Sequence, residues 1–421
     1  MTVFFCYSRL FITKGFLLQK LTTHKATHRL NSTLHNTLPA IVPNPNKTAL
    51  VLPGGGARAA YQVGVLKALA EITAGDANPF PILTGTSAGA LNAVAIASRE
   101  ESFQESCLWL EQLWLSLEAD HVYRSDWVGI VRNAWRLILS LFNSGISIGR
   151  PVALLDNIPL KQLLREKIDF SGISRNIQQG RLSAVSVTAM NYTDHVSVSF
   201  FQGGPGHADW HRWRRQGIPT PLQLRHLLAS TAIPTIFPPQ RIGRNYYGDG
   251  ALRQLTPISP ALHLGANRVL IISPNGHKKD YGTQHKRIQS PAFGQVIGQL
   301  LNSAFVDSLE TDIELLNQMN ALLRLTDEKI KNQEGRTLEP IDALVISPSE
   351  DIDELADYYV KSLPRSIRTF LKVSGGSSSN GGVNIASYLL FTPEYCQRLI
   401  DLGYKDGIQQ YDDIKTFLKS K

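Results

Sequence analysis

Residues Ala49–Ile72 read ALVLPGGGARAAYQVGVLKALAEI. The apolar run Thr48–Leu52 has the composition of a buried strand, and over Ala59–Thr73 apolar residues such as Val63, Leu66 and Leu69 recur at helical spacing. Three consecutive glycines, Gly54, Gly55 and Gly56, stand between the two. Glycine tolerates positive φ and lets other groups come close to the backbone. A strand–GGG–helix turn therefore serves one of two chemistries: it cradles a phosphate, or it aims successive backbone N–H groups at an oxyanion.

The phosphate reading is the weaker. Gly54-x-Gly56-x-x-Ala59 matches the Ala-ended dinucleotide fingerprint, but that fingerprint also needs an acid at the end of the second strand to hold a ribose. Asp76 has the spacing yet precedes the second strand, Pro81–Gly85. A Walker-type loop fails because no Gly-Lys-Ser/Thr follows. The second strand runs instead into LTGTSAGALNAVAIA, where Ser87 stands between Gly85 and Gly89. A serine in such a strand-to-helix turn is a nucleophile elbow, whose strained backbone exposes Oγ. The glycine turn then has a use, since N–H groups of Gly55, Gly56 and Ala57 beside the positive end of a helix would stabilise the oxyanion of acyl transfer.

A serine nucleophile needs a base. Asp249 lies between Gly248 and Gly250 in the turn after Tyr246 and Tyr247, and the flanking glycines give its carboxylate room to approach another backbone. The strand–GGGxR–helix, the GTSAG elbow one helix later, and the Asp-Gly-Ala turn after ASTAIPTIFPP (Ala229–Pro239) together resemble the patatin-like phospholipase family. The resemblance runs from about Thr48 to Ser273 and extends to SYLLFTPEY (Ser387–Tyr395) and the later Leu-Gly-Tyr. It implies a three-layer α/β/α sandwich with a mostly parallel central sheet and a helical C-terminal portion. It further implies a Ser87–Asp249 dyad, an oxyanion loop of Gly54, Gly55, Gly56, Ala57 and Arg58, and support of the turns by Gly85, Gly89 and Gly250. Ala251 departs from the glycine that many members carry there. The implied activity is hydrolysis of acyl esters of glycerophospholipids through an acyl-enzyme, without cofactor or metal.

Two alternatives stay open at this level. His263, His277 and His285 follow Asp249 in the chain order of a Ser–His–Asp triad, as in α/β-hydrolase esterases, although no sequence context singles one out. A catalytically silent lipid-binding or membrane-scaffold protein could also keep the fold, though the intact Ser87, Asp249 and glycine loop argue against it.

Further strands are expected at Leu182–Met190, His195–Phe201, Arg268–Ser273 and Ala343–Ser347, and helices at Phe103–Leu117, Thr220–Ser230 and Phe293–Leu325. The organisation expected is a leader over 1–47, a catalytic domain over 48–275 with an insertion at about 119–180, and a mostly helical region over 276–421 that completes or caps it. VSGGSSSNGG (Val373–Gly382) reads as a loop.

The formal net charge of +8 is local. Residues 1–70 hold eight basic residues and no acid, while the rest of the chain carries 35 of each sign. The body of the protein thus gives no ground for a nucleic-acid partner. The leader lacks the uninterrupted apolar run of a secretory signal, because Arg9 and Lys14 break it. It reads as an organelle transit sequence, a membrane-surface anchor, or a tail upstream of the true start. The location expected is cytoplasmic or peripheral to a membrane. Two segments suit contact with a lipid surface: Trp210, Arg212, Trp213, Arg214 and Arg215, and the apolar stretch Trp127–Phe142, read mainly as a core or substrate-channel helix. Three scattered cysteines fit neither a disulfide framework nor a zinc site.

Overall fold

Strand β1 (Thr48–Leu52) leads through a 3-10 turn (Gly56–Ala59) into helix α1 (Ala60–Thr73), as the opening stretch requires. Strand β2 (Ile82–Thr86) and helix α2 (Ala88–Ala97) follow. Helix α3 (Phe103–Leu115) begins at a capping box in which Ser102 and Glu105 satisfy each other's backbone N–H groups. The stretch 119–180 shows no strand signal and forms helices α4 (Ala119–Val122), α5 (Trp127–Phe142), α6 (Ile158–Lys167) and α7 (Phe170–Gln178). The computed structural model describes residues 48–74, 77–142, 151, 153–276, 293–326, 330–331, 337–374 and 385–419. The leader 1–47, Asp76, His277, His285 and the Gly/Ser run from 375 onward lie outside the described residues.

The middle of the chain supplies β3 (Ala184–Asn191), β4 (Val196–Gly203), β5 (Trp210–Arg212), β6 (Arg215–Pro219), α8 (Leu224–Ser230), β7 (Gln240–Ile242), β8 (Asn245–Asp249), α9 (Ser259–His263) and β9 (Arg268–Ile272). After it come α10 (Phe293–Asn302), a π turn (Ser303–Asp307), α11 (Ser308–Arg324) and β10 (Asp342–Ile346). The last elements are α12 (Ile352–Tyr359), α13 (Arg365–Ser374), α14 (Ile385–Leu389), α15 (Pro393–Gln409) and α16 (Tyr411–Lys419).

One sheet collects the strands in the order β10-β9-β1-β2-β3-β4-β6-β5, with β8 on β3 and β7 on β8. The run β10-β9-β1-β2-β3 is parallel throughout, and antiparallel pairs enter only beyond β3. Alternation along β1 shows that both faces are covered. Leu50 and Leu52 join one core with α1, α2 and α3, whereas Ala49 and Val51 join another with Ile258, Ala261 and Leu264 around α9 and with Leu309 of α11. A parallel sheet buried on both faces between helices is the three-layer α/β/α arrangement.

The structure departs from sequence expectation at short, polar elements. Pro219 and Pro221 stop a helix from starting at Thr220, so β6 runs to Pro219 and α8 begins at Leu224. β5 and β6 carry arginines where alternating apolar residues would have betrayed them, and they form because β6 pairs in register with β4.

The helical end is bound closely to the first helix. A Cβ on Gly64 of α1 would lie 2.0 Å from the Ile400 carbonyl oxygen, and one on Gly403 of α15 would lie 2.1 Å from that of Tyr61. The two helices therefore meet backbone to backbone. Across that contact the Tyr61 hydroxyl donates to Asp406, which also accepts from the Ser349 N–H and hydroxyl.

Candidate active site

The register of β3 explains why two distant residues meet. β2 runs parallel to β3 and ends where Thr86 lies opposite Thr188. β8 runs antiparallel to β3 and ends where Asp249 lies opposite Ala189, the next residue. The C-terminal ends of β2 and β8 therefore converge beside the same strand. Ser87 follows Thr86 directly, so its side chain and the Asp249 carboxylate are brought together across 162 residues of sequence.

Ser87 sits at φ 54° and ψ −129°, outside the regions an L-residue prefers, immediately before α2. Its N–H donates to the Ser230 hydroxyl at 2.8 Å, and that hydroxyl donates to the Thr188 carbonyl at 2.6 Å. α8 thus clamps the elbow to β3. The turn is also too tight for side chains. A Cβ on Gly85 would lie 2.5 Å from Ala90 Cα, one on Gly89 2.0 Å from the Leu52 carbonyl oxygen, and one on Gly250 2.3 Å from that of Thr188. All three supporting glycines of the sequence reading therefore stand where backbones touch.

Asp249 is fully buried. Its N–H donates to the Ala232 carbonyl, and Oδ1 accepts from the Ala251 N–H at 3.0 Å. Burial disfavours the carboxylate and raises its pKa to about 7, against the opposing pull of the Ser87 hydroxyl and the Ala251 N–H. No histidine of the described residues is among the groups acting on it. His263 instead stacks on Trp210 at 4.9 Å. His226, buried in α8, accepts from the Gln223 N–H through Nδ1 and is driven down to about 4 by desolvation, so it is neutral.

The glycine loop faces the same site. Gly56 has φ 56°, and a Cβ there would lie 2.4 Å from the Tyr388 carbonyl oxygen, so only glycine fits. Gly54, Gly55 and Ala57 are buried beside it. Among the described residues no acceptor engages the Gly55 or Gly56 N–H. Beneath the loop, Gln62 Nε2 donates to the Pro53 and Ile272 carbonyls, Asn92 Nδ2 donates to Gln62 and the Ala59 carbonyl, and Trp114 Nε1 donates to Asn92. This chain of bonds locks α1, α2 and α3 under the loop.

Arg58 occupies a different place from its neighbours. Its guanidinium is buried and donates to Ser387 Oγ at 2.9 Å, to Asn275 Oδ1 at 2.8 Å and to Asp353, with the Tyr388 ring 4.0 Å away. The side chain ties the loop to α12 and α14.

A narrow apolar cavity starts at Ser87 and Gly56 and runs between α2, α3, α6 and the Thr231–Phe237 segment. Leu91, Leu113, Trp114, Leu160, Leu163 and Phe237 are among its lining residues. The sequence reading missed this wall, along with Ser230, Asn275, Asp353 and Ser387. The apolar spacing in α6 was a legible signal; the polar partners, each a common residue in an unremarkable context, gave none.

The five residues suggested for membrane contact do not form one surface. Trp210 is 7% exposed, with its ring laid over Gly217 and stacked on Phe201 at 5.0 Å, whereas Trp213 is 75% exposed at the turn beside Arg214. Trp210 belongs to the core because its β5 position faces inward; Arg215 is engaged with Thr256. Arg212 lies on β5 and Arg214 stands exposed at the turn.

A family model described as Patatin-like phospholipase matches residues 50–262. Among solved structures, VipD from Legionella pneumophila is similar at 14% identity and TM-score 0.34, over 88% of this chain and 67% of that one. Human GIVD cytosolic phospholipase A2 is similar at 11% identity and TM-score 0.41, over 88% of this chain and 60% of that one. Its complex with methyl gamma-linolenyl fluorophosphonate is similar at 13% identity and TM-score 0.38, over 88% of this chain and 59% of that one. The chain thus spans about three fifths of the human protein's length. No curated protein matches the sequence.

Proposed function

Because the chain belongs to the patatin-like phospholipase family, we propose that it is a serine lipid acyl hydrolase that cleaves acyl esters of glycerophospholipids, with Ser87 as nucleophile and Asp249 as base. The observation that carries this reading is the convergence of β2 and β8 along β3, which sets a strained serine against a buried carboxylate at the head of an apolar cavity. The cavity suits an acyl chain, and the N–H groups of Gly55 and Gly56, uncommitted among the described residues, suit the oxyanion.

In the reaction, Ser87 Oγ attacks the ester carbonyl carbon while its proton passes to Asp249. The carbonyl oxygen becomes an oxyanion facing the glycine loop. Collapse breaks the bond to the alcohol, which takes the proton from Asp249 and leaves Ser87 acylated. Water then attacks the acyl group, giving its proton to Asp249, which returns it to Ser87 Oγ as the fatty acid departs. A buried carboxylate with pKa near 7 is a better match to this proton traffic than one of ordinary value.

A serine-directed fluorophosphonate tests the assignment. The native chain should label once and lose hydrolysis of a soluble short-chain ester in step, and Ser87→Ala should neither label nor hydrolyse. Labelling that persists at another serine in a folded Ser87→Ala protein would sink the reading.

A further inference from the structure

Among its described residues helix α5 carries an apolar stripe on its outer face, besides the Ile130 and Ala134 that it turns to the core. A surface helix ordinarily turns its apolar stripe inward. In α5 only Ile130 is buried among its described apolar residues, while Asn133 Nδ2 bonds the Leu154 carbonyl from the inner side. Val128, Trp135 and Leu139 are 72%, 60% and 55% exposed and, with Val131, recur at three- and four-residue spacing along one outward stripe. Exposed Arg132 and Arg136 border that stripe, and the helix contains no acidic residue. The expectation of a core or channel helix thus fails on the outer face.

We propose that α5 seats the protein on an anionic phospholipid surface, an inference that rests on the reading of the substrate as a membrane lipid. Sixteen residues make a helix of about 24 Å, short of the ~30 Å hydrocarbon core, so α5 lies in the plane of the interface. Tryptophan and arginine are the side chains that settle at the headgroup level. Charge decides among occupants. The leader carries six basic residues and no acid over residues 1–47, and a second copy would oppose arginine with arginine. Anionic headgroups complement both arginines. The helix also adjoins the cavity wall: the Leu154 and Leu155 N–H groups, on the segment that α5 contacts, donate to the Thr235 and Ile236 carbonyls, and neighbouring Ile233 and Phe237 line the cavity.

Co-sedimentation of the full chain with vesicles tests this, in a Ser87→Ala background so that no lipid is consumed. Partition onto phosphatidylcholine vesicles containing phosphatidylserine should fall at least about tenfold when Val128, Trp135 and Leu139 are all replaced by Gln. Arg132→Gln with Arg136→Gln should lose about tenfold or more on those vesicles, and little on phosphatidylcholine alone. Leu322→Gln with Leu325→Gln, exposed at the C-terminal end of α11, should bind as the parent. The proposal is overturned if the α5 triple variant binds as the parent does, which would put membrane contact elsewhere, the leader included. It is equally overturned if the parent binds neither vesicle and the triple variant instead loses self-association in sedimentation velocity, which would make α5 a contact between copies. With Ser87 intact, the triple variant should keep full activity on a soluble ester. Vesicle binding that falls as expected in a protein inactive on every ester would leave the interface standing and sink the hydrolase reading alone.

Discussion

At Ser87 the backbone holds a strained conformation in a buried turn. A non-glycine residue in so unfavourable a conformation costs about 1–3 kcal/mol, and alanine bears the same cost because it keeps Cβ. Ser87→Gly should therefore be more stable than Ser87→Ala by roughly 1 kcal/mol after glycine's entropic penalty, while both are inactive; thermal melts of the pair check this. Asp249 gives a second, pH-dependent signature. Its folded pKa is raised from 3.8 to about 7, so between those values the native state holds a proton that the unfolded chain has lost. Stability from the neutral acid is full at low pH and is lost as pH rises through this window. The stability of Asp249→Asn relative to the native chain should accordingly climb between about pH 4 and pH 7 and then level off. With Asp249 as the proposed base, activity should run the other way, because the carboxylate must be ionised to accept a proton. Soluble-ester kcat/KM should rise with pH and bend near 7, whereas an acid limb near pH 4 would mean that the base is not held in this environment. The identities of Ser87 and Asp249 were legible because each sits between glycines; the burial of both and the raised pKa of Asp249 were not, since these belong to surroundings assembled from other elements.

At the scale of elements, the turn after β1 is held from a distance. Arg58 was expected with the oxyanion loop, but its guanidinium reaches away to Asn275, Asp353 and Ser387. Breaking a buried ion pair by removing one partner costs about 3–5 kcal/mol, and Asp353, partly open to water, points to the lower end. Arg58→Ala should thus destabilise by about 3 kcal/mol and lower kcat more than KM, as the loop loses its anchor. Arg58→Lys should not restore either, because a compact ammonium cannot span acceptors that the planar fork reaches from three different nitrogens. Denaturant titration with parallel ester kinetics separates the two effects. A lysine variant with native stability and turnover would reduce Arg58 to a simple positive charge.

At the scale of the molecule, the chain's last helices are part of the wall that supports its first. Gly64 and Gly403 allow α1 and α15 to touch along their backbones, and neither backbone can yield to a side chain. Gly64→Val or Gly403→Val should therefore force the helices apart and cost well over 3 kcal/mol, seen as loss of soluble folded protein or a large fall in midpoint. A mild effect would show that the C-terminal helices pack loosely and are dispensable to the core.

Local pattern determined the strand–glycine–helix opening, the elbow, the Asp-Gly-Ala turn and the long elements of the sheet, because periodicity and glycine placement are recorded residue by residue. Tertiary structure alone decided which way the long polar and aromatic side chains face. Trp210 and Trp213 lie three residues apart in one arginine-rich stretch, yet one packs in the core and the other stands in solvent. α5 reads mainly as a core or channel helix, yet Val128, Val131, Trp135 and Leu139 face outward. Sequence records how apolar a face is; what covers that face depends on where the rest of the chain comes to lie.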